Sequence, residues 1–185
     1  MDKDRIRNRI KARKSLLSQT EKALAAQQVF DTLEKTAAFM LAEKVLMYHS
    51  LPDELSTRSF LEKWSGRKKF FLPRVNGVNL DILPYDRSRM ALGSFHIEEP
   101  QGDDTVGIDE IELVIVPAIA YDRCGNRVGR GKGYYDRLLA DTRATKIGVG
   151  YHFQLLDEEI PAEEHDVSVD MVITDRTRIL IRKRR

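Results

Sequence analysis

Residues 111–117, IELVIVP, form an apolar run closed by proline, and glycine then recurs at positions 125, 129, 131 and 133 before a helical pattern begins at Tyr134. Strand, glycine loop and helix in that order make one unit of an α/β sheet. Glycine lets backbone N–H groups approach an anion with no Cβ in the way. A helix N-terminus adds unpaired N–H groups and partial positive charge. Arg127, Arg130 and Lys132 add full charges, and cations this dense repel one another unless an anion neutralises them. The segment therefore reads as a polyphosphate cradle, against the plainer alternative of a glycine-rich turn with solvated charges.

Two familiar phosphate loops are excluded by spacing. A P-loop needs glycine, four residues, then Gly-Lys-Ser/Thr; here five residues separate Gly125 from Gly131, and Gly133 stands where the hydroxyl residue would be. The dinucleotide fingerprint Gly-x-Gly-x-x-Gly fails because its third glycine comes one residue early. Any magnesium ligand must then come from elsewhere, and Asp136 is the nearest carboxylate. Its plainer role is to complement a helix dipole.

The rest of the chain alternates helical and strand patterns. Residues 2–17 read as a helix. Ser18 and Glu21 form a capping-box pattern opening a second helix through about Leu41, with Leu24, Val29, Phe30, Leu33 and Ala37 as its buried face. Strands are expected over 44–48, 69–72, 80–83, 111–116, 146–151 and 171–174, a short helix over 57–64, and loop over 85–109. This predicts a single α/β domain over 1–185 with an N-terminal helical segment over about 2–41. Its architecture would be three-layer α/β/α, a mostly parallel sheet with helices on both faces. Ligands in such sheets bind beyond the carboxyl ends of the strands, which groups Asp53 and Glu54, the loop after Pro117, and Tyr151 with His152 on one rim.

Residues 113–137, LVIVPAIAYDRCGNRVGRGKGYYDR, resemble the signature of the 5-formyltetrahydrofolate cyclo-ligase family, with Val128 in a position that family usually fills with leucine. The resemblance continues in Lys3-Asp-Arg-Ile-Arg7, in the strand and acidic turn ending at Glu54, in Lys69-Phe-Phe-Leu-Pro73 (one residue shorter than the family pattern), in residues 93–100, and in His165-Asp166. It implies ATP-dependent cyclisation of 5-formyltetrahydrofolate to 5,10-methenyltetrahydrofolate, with magnesium as cofactor. Gly129, Gly131 and Gly133 would hold phosphates through their N–H groups, and Arg130 and Lys132 would neutralise the moving γ-phosphoryl. Arg127 would hold phosphate oxygens at the loop's entrance. Lys3 and Arg7, one helical turn apart, would fold over the nucleotide; without the resemblance they read as a solvated basic face. Asp136 and Asp166 would hold magnesium, with Asp170 a competing ligand. Glu54 would accept hydrogen bonds from pterin N–H groups. Tyr134 is assigned to the folate and Tyr135 to inward packing beside the nucleotide.

Composition sets outer bounds. The chain has 185 residues, 42% of them hydrophobic, and a formal net charge of +2, which suits one globular domain. Its ends are basic, but no aromatic interleaving or zinc-ligand spacing supports nucleic-acid binding, so the tail from Arg182 reads as solvated. Cys124 is the only cysteine, which excludes an internal disulfide and fits a reducing compartment. No leader or membrane-length apolar run stands out, so a cytoplasmic monomer with no membrane partner is expected. A different phosphate- or acyl-transferring enzyme, a non-catalytic nucleotide sensor and a nucleic-acid binder remain as alternatives.

Overall fold

The computed structural model describes residues 2–93 and 96–182. Ser94 and Phe95 of the 93–100 segment, Met1, and residues 183–185 of the basic tail lie outside the described residues.

Helix α1 (Lys3–Ser15) starts at Asp2, whose carboxylate accepts from the Asp4 N–H. It is almost wholly polar and is anchored by the buried Ile6 and Ile10. Helix α2 (Gln19–Leu33) opens with the reciprocal Ser18–Glu21 capping box. It does not continue to Leu41. Thr36 turns extended, its Oγ1 accepts from the Phe39 N–H, and a separate α3 (Ala37–Leu41) begins there. The threonine oxygen satisfies one of the N–H groups that the start of a new helix leaves without a backbone partner. The buried face of α2 is Ala25, Ala26, Val29, Phe30 and Leu33. Leu24 is 53% exposed and Ala37 is exposed too, correcting the expected face. Leu24 precedes the Ala25–Val29–Leu33 stripe by one residue, which is about 100° around the helix.

The strands are β1 (Lys44–Leu46), β2 (Lys69–Asn76), β3 (Asn79–Pro84), β4 (Met90–Leu92), β5 (Glu98–Pro100), β6 (Leu113–Val116), β7 (Ala120–Asp122), β8 (Arg127–Val128), β9 (Thr145–Gly150), β10 (Leu155–Leu156), β11 (Met171–Thr174) and β12 (Arg178–Leu180). Helix α4 (Arg58–Trp64) joins β1 to β2, and α5 (Tyr134–Leu139) follows the glycine segment. The main sheet has the order β12-β11-β9-β6-β1-β2-β3. Its inner neighbours are parallel, while β3 and β12 run antiparallel at the edges. This is the expected mostly parallel α/β sheet. Residues alternate between its faces as the pleat requires. Val45, Leu113 and Ile115 join Val29, Phe30, Phe39 and Phe60 from α2–α4 on one side. Leu46, Val114 and Val116 join Tyr121 and Leu139 on the other. A small sheet in the order β10-β7-β8 receives Ile6 and Ile10 of α1 through Ala120, Val128 and Leu156. The region expected as loop holds the antiparallel β4–β5 pair, whose Glu99 is 6% exposed and accepts from the Val75 N–H.

Candidate functional site

The glycine segment is held from below by a hairpin absent from the sequence reading. Asp122, ending β7, is 1% exposed. Its two oxygens accept from Cys124 N and Asn126 N at 2.9 Å, and from Asn126 Nδ2 and Ile160 N at 2.8 Å. Gly125 turns this hairpin with φ 85°, and a Cβ there would lie 2.6 Å from the Val169 carbonyl oxygen. Tyr121 is fully buried, its hydroxyl donates to the Val116 carbonyl, and its ring covers Gly148 so closely that a Cβ would meet it at 2.3 Å. Residues 129–133 then emerge from β8 onto the rim beyond β6. Gly131 has φ 96° and Gly133 φ 68°, conformations that side-chain-bearing residues resist. The helix after them has only six residues, so a helix dipole adds little to the field of the loop's N–H groups and cations.

Each cation has a distinct setting. Arg130 Nη2 donates to Asp53 Oδ1 at 2.9 Å, to Asp53 Oδ2 at 3.1 Å and to Glu54 Oε1 at 3.1 Å. Burial opposes its charge, but Glu54 and Asp53 outweigh that and push its pKa up. Glu54 Oε2 accepts from the Leu51 N–H at 2.9 Å, which fixes the carboxylate within its turn. Lys132 is exposed, and its ammonium makes no hydrogen bond or ion pair among the described residues. Arg127 points inward: its side chain is 5% exposed, Nη2 pairs with Asp136 Oδ1 at 2.5 Å, and Nε donates to the Val167 carbonyl. It braces the cradle from beneath instead of standing at the entrance. On α1, Arg7 Nε donates to the Gly129 carbonyl at 2.9 Å, and Lys3 Nζ lies 2.8 Å from Asp166 Oδ2. Arg7 thus reaches the cradle itself, while Lys3 reaches Asp166. Burial alone would raise the Asp166 pKa, but Lys3 and the Glu163 N–H hold it below the usual carboxylate range.

Tyr134 lies against the β2–β3 turn, its hydroxyl 3.4 Å from the Gly77 carbonyl and its ring beneath Arg137. Tyr135 packs into the apolar cluster around Leu139 and Val116, and burial raises its pKa.

Among the described residues no three His, Cys, Asp or Glu gather as a metal cage. Magnesium does not require one, since it is commonly held by one or two carboxylates with phosphate oxygens and water. Asp136 Oδ1 accepts from Arg127 and from the Val167 N–H, while Oδ2 takes no hydrogen bond among the described residues. Asp166 and Asp136 are both hard oxygen donors beside the cradle, so their chemistry fits the ion. Asp170 is committed to the sheet instead: its Oδ2 accepts from the Lys146 N–H at 2.8 Å.

Sequence reasoning grouped Asp53 with the rim but gave it no partner, and it missed Lys14 and Asp122 as residues of this site. For Asp122 a signal exists in Asp122-Arg-Cys-Gly125, since Asp followed by Gly marks a turn in which the carboxylate bonds nearby N–H groups. A groove of about 590 Å³ between α1, α2 and the segment after β9 is lined by Arg9, Arg13 and Phe153, and shares no residue with the cradle.

A glycine loop bearing Arg130 and Lys132, set on the carboxyl rim of a mostly parallel sheet and facing an acidic turn, defines an α/β protein of the ligand-cleft type. Residues 1–175 match the model of the 5-formyltetrahydrofolate cyclo-ligase family. The chain belongs to that family of ligases of folate one-carbon metabolism. It is 29% identical to the 5-formyltetrahydrofolate cyclo-ligase of Escherichia coli K12, over 89% of this chain and 96% of that one. The solution structure of Aquifex aeolicus 5,10-methenyltetrahydrofolate synthetase superposes with a TM-score of 0.89 at 29% identity, covering 100% of this chain and 95% of that one. The Mycoplasma pneumoniae 5,10-methenyltetrahydrofolate synthetase shares the fold at 24% identity, with a TM-score of 0.77 over 95% of this chain and 99% of that one.

Proposed function

We propose that this chain closes 5-formyltetrahydrofolate to 5,10-methenyltetrahydrofolate at the expense of ATP, releasing ADP and phosphate. The N5 formyl group is amide-like, and its oxygen leaves poorly. Its oxygen attacks the γ-phosphorus, the bond to ADP breaks, and the formyl carbon becomes iminium-like. N10 then attacks that carbon and loses its proton. The C–O bond breaks with its electron pair going to phosphate, and the amidinium of the methenyl product remains.

Phosphoryl transfer is mostly positioning and charge stabilisation. Loop N–H groups of Gly129, Gly131 and Gly133 would hold the phosphates, with Arg130 and Lys132 on the moving phosphoryl. Lys3 and Arg7 would close over the nucleotide. Arg127 would act through Asp136, keeping that carboxylate aimed at the cradle. Magnesium, held by Asp136 and Asp166, would neutralise phosphate charge. Glu54 would accept from pterin N–H groups, a donor edge suited to a carboxylate.

The observation that carries this reading is Arg130. It joins the anion cradle to the turn bearing Glu54, so the two substrates would meet at one guanidinium. Purified protein mixed with 5-formyltetrahydrofolate and magnesium-ATP should show growth of the methenyl absorbance band, abolished without ATP or without magnesium. Folded protein that gives no such band would remove the folate assignment and leave the cradle to another phosphorylated or acyl substrate.

A further inference from the structure

Lys14 sits in the last turn of α1 with only 6% of its side chain exposed. Its ammonium makes no hydrogen bond among the described residues, and the carboxylate oxygen paired with it, Asp53 Oδ2, lies 4.0 Å away. A nearly buried ammonium whose three donors go unused is costly. Burial lowers its pKa, with Asp53 opposing and Arg130 adding to the decrease. Lys3, Arg7 and Lys14 recur at i, i+4 and i+11, so they share one flank of α1. Arg9 and Arg13 line the separate groove on another flank.

Around the acidic turn two cations, Arg130 and Lys14, face two carboxylates, Asp53 and Glu54. A single nitrogen, Arg130 Nη2, makes every contact from Arg130 to both acids. If Arg130 turns to a phosphoryl group, it therefore leaves both acids at once. Glu54 is then free for the folate. Asp53, with its side chain 49% exposed, would stand as a bare carboxylate beside an arriving polyanion, and like charges at that range repel.

We infer that Lys14 is a positioning residue of this site: it takes over Asp53 when Arg130 transfers to the phosphoryl group, keeping the Asp53 charge neutralised while ATP binds. Lysine's flexible four-carbon stem suits this exchange, because a small swing brings Nζ from 4.0 Å to hydrogen-bond distance. The inference rests on the ligase reading and deepens it.

The test is a double-mutant cycle in the methenyl-forming assay. Lys14→Met keeps the bulk and removes the charge. It should raise the ATP KM roughly tenfold, within the usual span of coupling between sites, while Lys14→Arg stays nearer the parent. Adding Asp53→Asn to Lys14→Met should restore most of the loss, since no charge is left to neutralise. A purely structural defect at Lys14 would persist in the double variant. An unchanged ATP KM in Lys14→Met, or a double variant as impaired as the single one, overturns the inference while leaving the ligase reading standing. Absence of methenyl product from the parent chain overturns the ligase reading and this inference together.

Discussion

Arg130 Nη2 lies 3.1 Å from Glu54 Oε1 while its backbone belongs to the glycine cradle. One guanidinium therefore bridges two segments that are 76 positions apart in the chain. The bridge offsets the charge of Arg130 but not that of Lys132, and under the proposed function it would open for the phosphoryl group.

Removing that guanidinium should cost the most. Arg130→Ala is expected to lower kcat by about 10²–10³, the usual loss for a missing transition-state charge donor. Lys132→Ala should lower kcat without altering folate affinity, because among the described residues Lys132 makes no hydrogen bond or ion pair with the acidic turn. Single-turnover measurements of methenyl formation separate these effects from product release. Near-normal turnover in both variants would show that the cradle's cations do not act on the phosphoryl group.

Glu54→Gln keeps the shape of the turn, since an amide oxygen can still accept from the Leu51 N–H. It loses the charge that pairs with Arg130 and would face pterin donors. The KM for 5-formyltetrahydrofolate should rise about tenfold or more, because a hydrogen bond to a charged group is worth about 1.5–3 kcal/mol. The ATP KM should change much less. Equal rises for both substrates would contradict the assignment of Glu54 to the folate.

The bracing of Arg127 by Asp136 and its proposed hold on magnesium can be separated. Its partner Arg127 is nearly buried while Asp136 is 19% exposed. Breaking a fully buried pair costs about 3–5 kcal/mol; partial exposure here reduces that to roughly 1–3 kcal/mol. Asp136→Asn should therefore lower Tm by roughly 3–10 °C in a chain of this size, with no metal present. If Asp136 also holds magnesium, the variant should need more of it for half-maximal activity. A normal magnesium titration in a destabilised variant would leave only the bracing role.

The alternation that builds the sheet was legible because parallel strands covered on both faces are nearly continuous apolar runs, as at Leu113–Val116. The cradle was legible because positive φ at Gly131 and Gly133 demands glycine. The break before Thr36 was not, since apolar residues continue on both sides and the break is marked by the Thr36 hydroxyl, which donates to the Leu33 carbonyl and accepts from the Phe39 N–H. Asp122 was hidden because its four bonds go mostly to backbone donors that any sequence would supply. Lys14 was hidden because a lysine in a basic helix looks solvated until the acidic turn after β1 is folded against it. Local pattern carries the elements, whereas contacts between distant segments decide which charges are spent on structure.

His49 gives a prediction from pH. It lies just beyond β1 with 11% of its side chain exposed, and its Nδ1 is 3.4 Å from Glu98 Oε2 on β5. Arg58 Nη2 reaches the same oxygen at 3.3 Å. Burial lowers the His49 pKa from its ordinary 6.5, Arg58 adds to the decrease, and Glu98 opposes without cancelling them. The imidazole is therefore neutral in the folded chain at pH 7. With the folded pKa below the unfolded one, the unfolded chain takes up the proton first as pH falls. The resulting stability is present above the unfolded pKa and is lost as pH drops through the folded value. Denaturant unfolding between pH 7 and pH 5 should show stability falling in the parent chain, and the fall should be shallower in His49→Gln. The depressed pKa of Asp166 acts in a lower window, beneath its ordinary 3.8, so it does not confuse the comparison. Parallel curves for parent and variant would mean that burial at the end of β1 does not control this histidine.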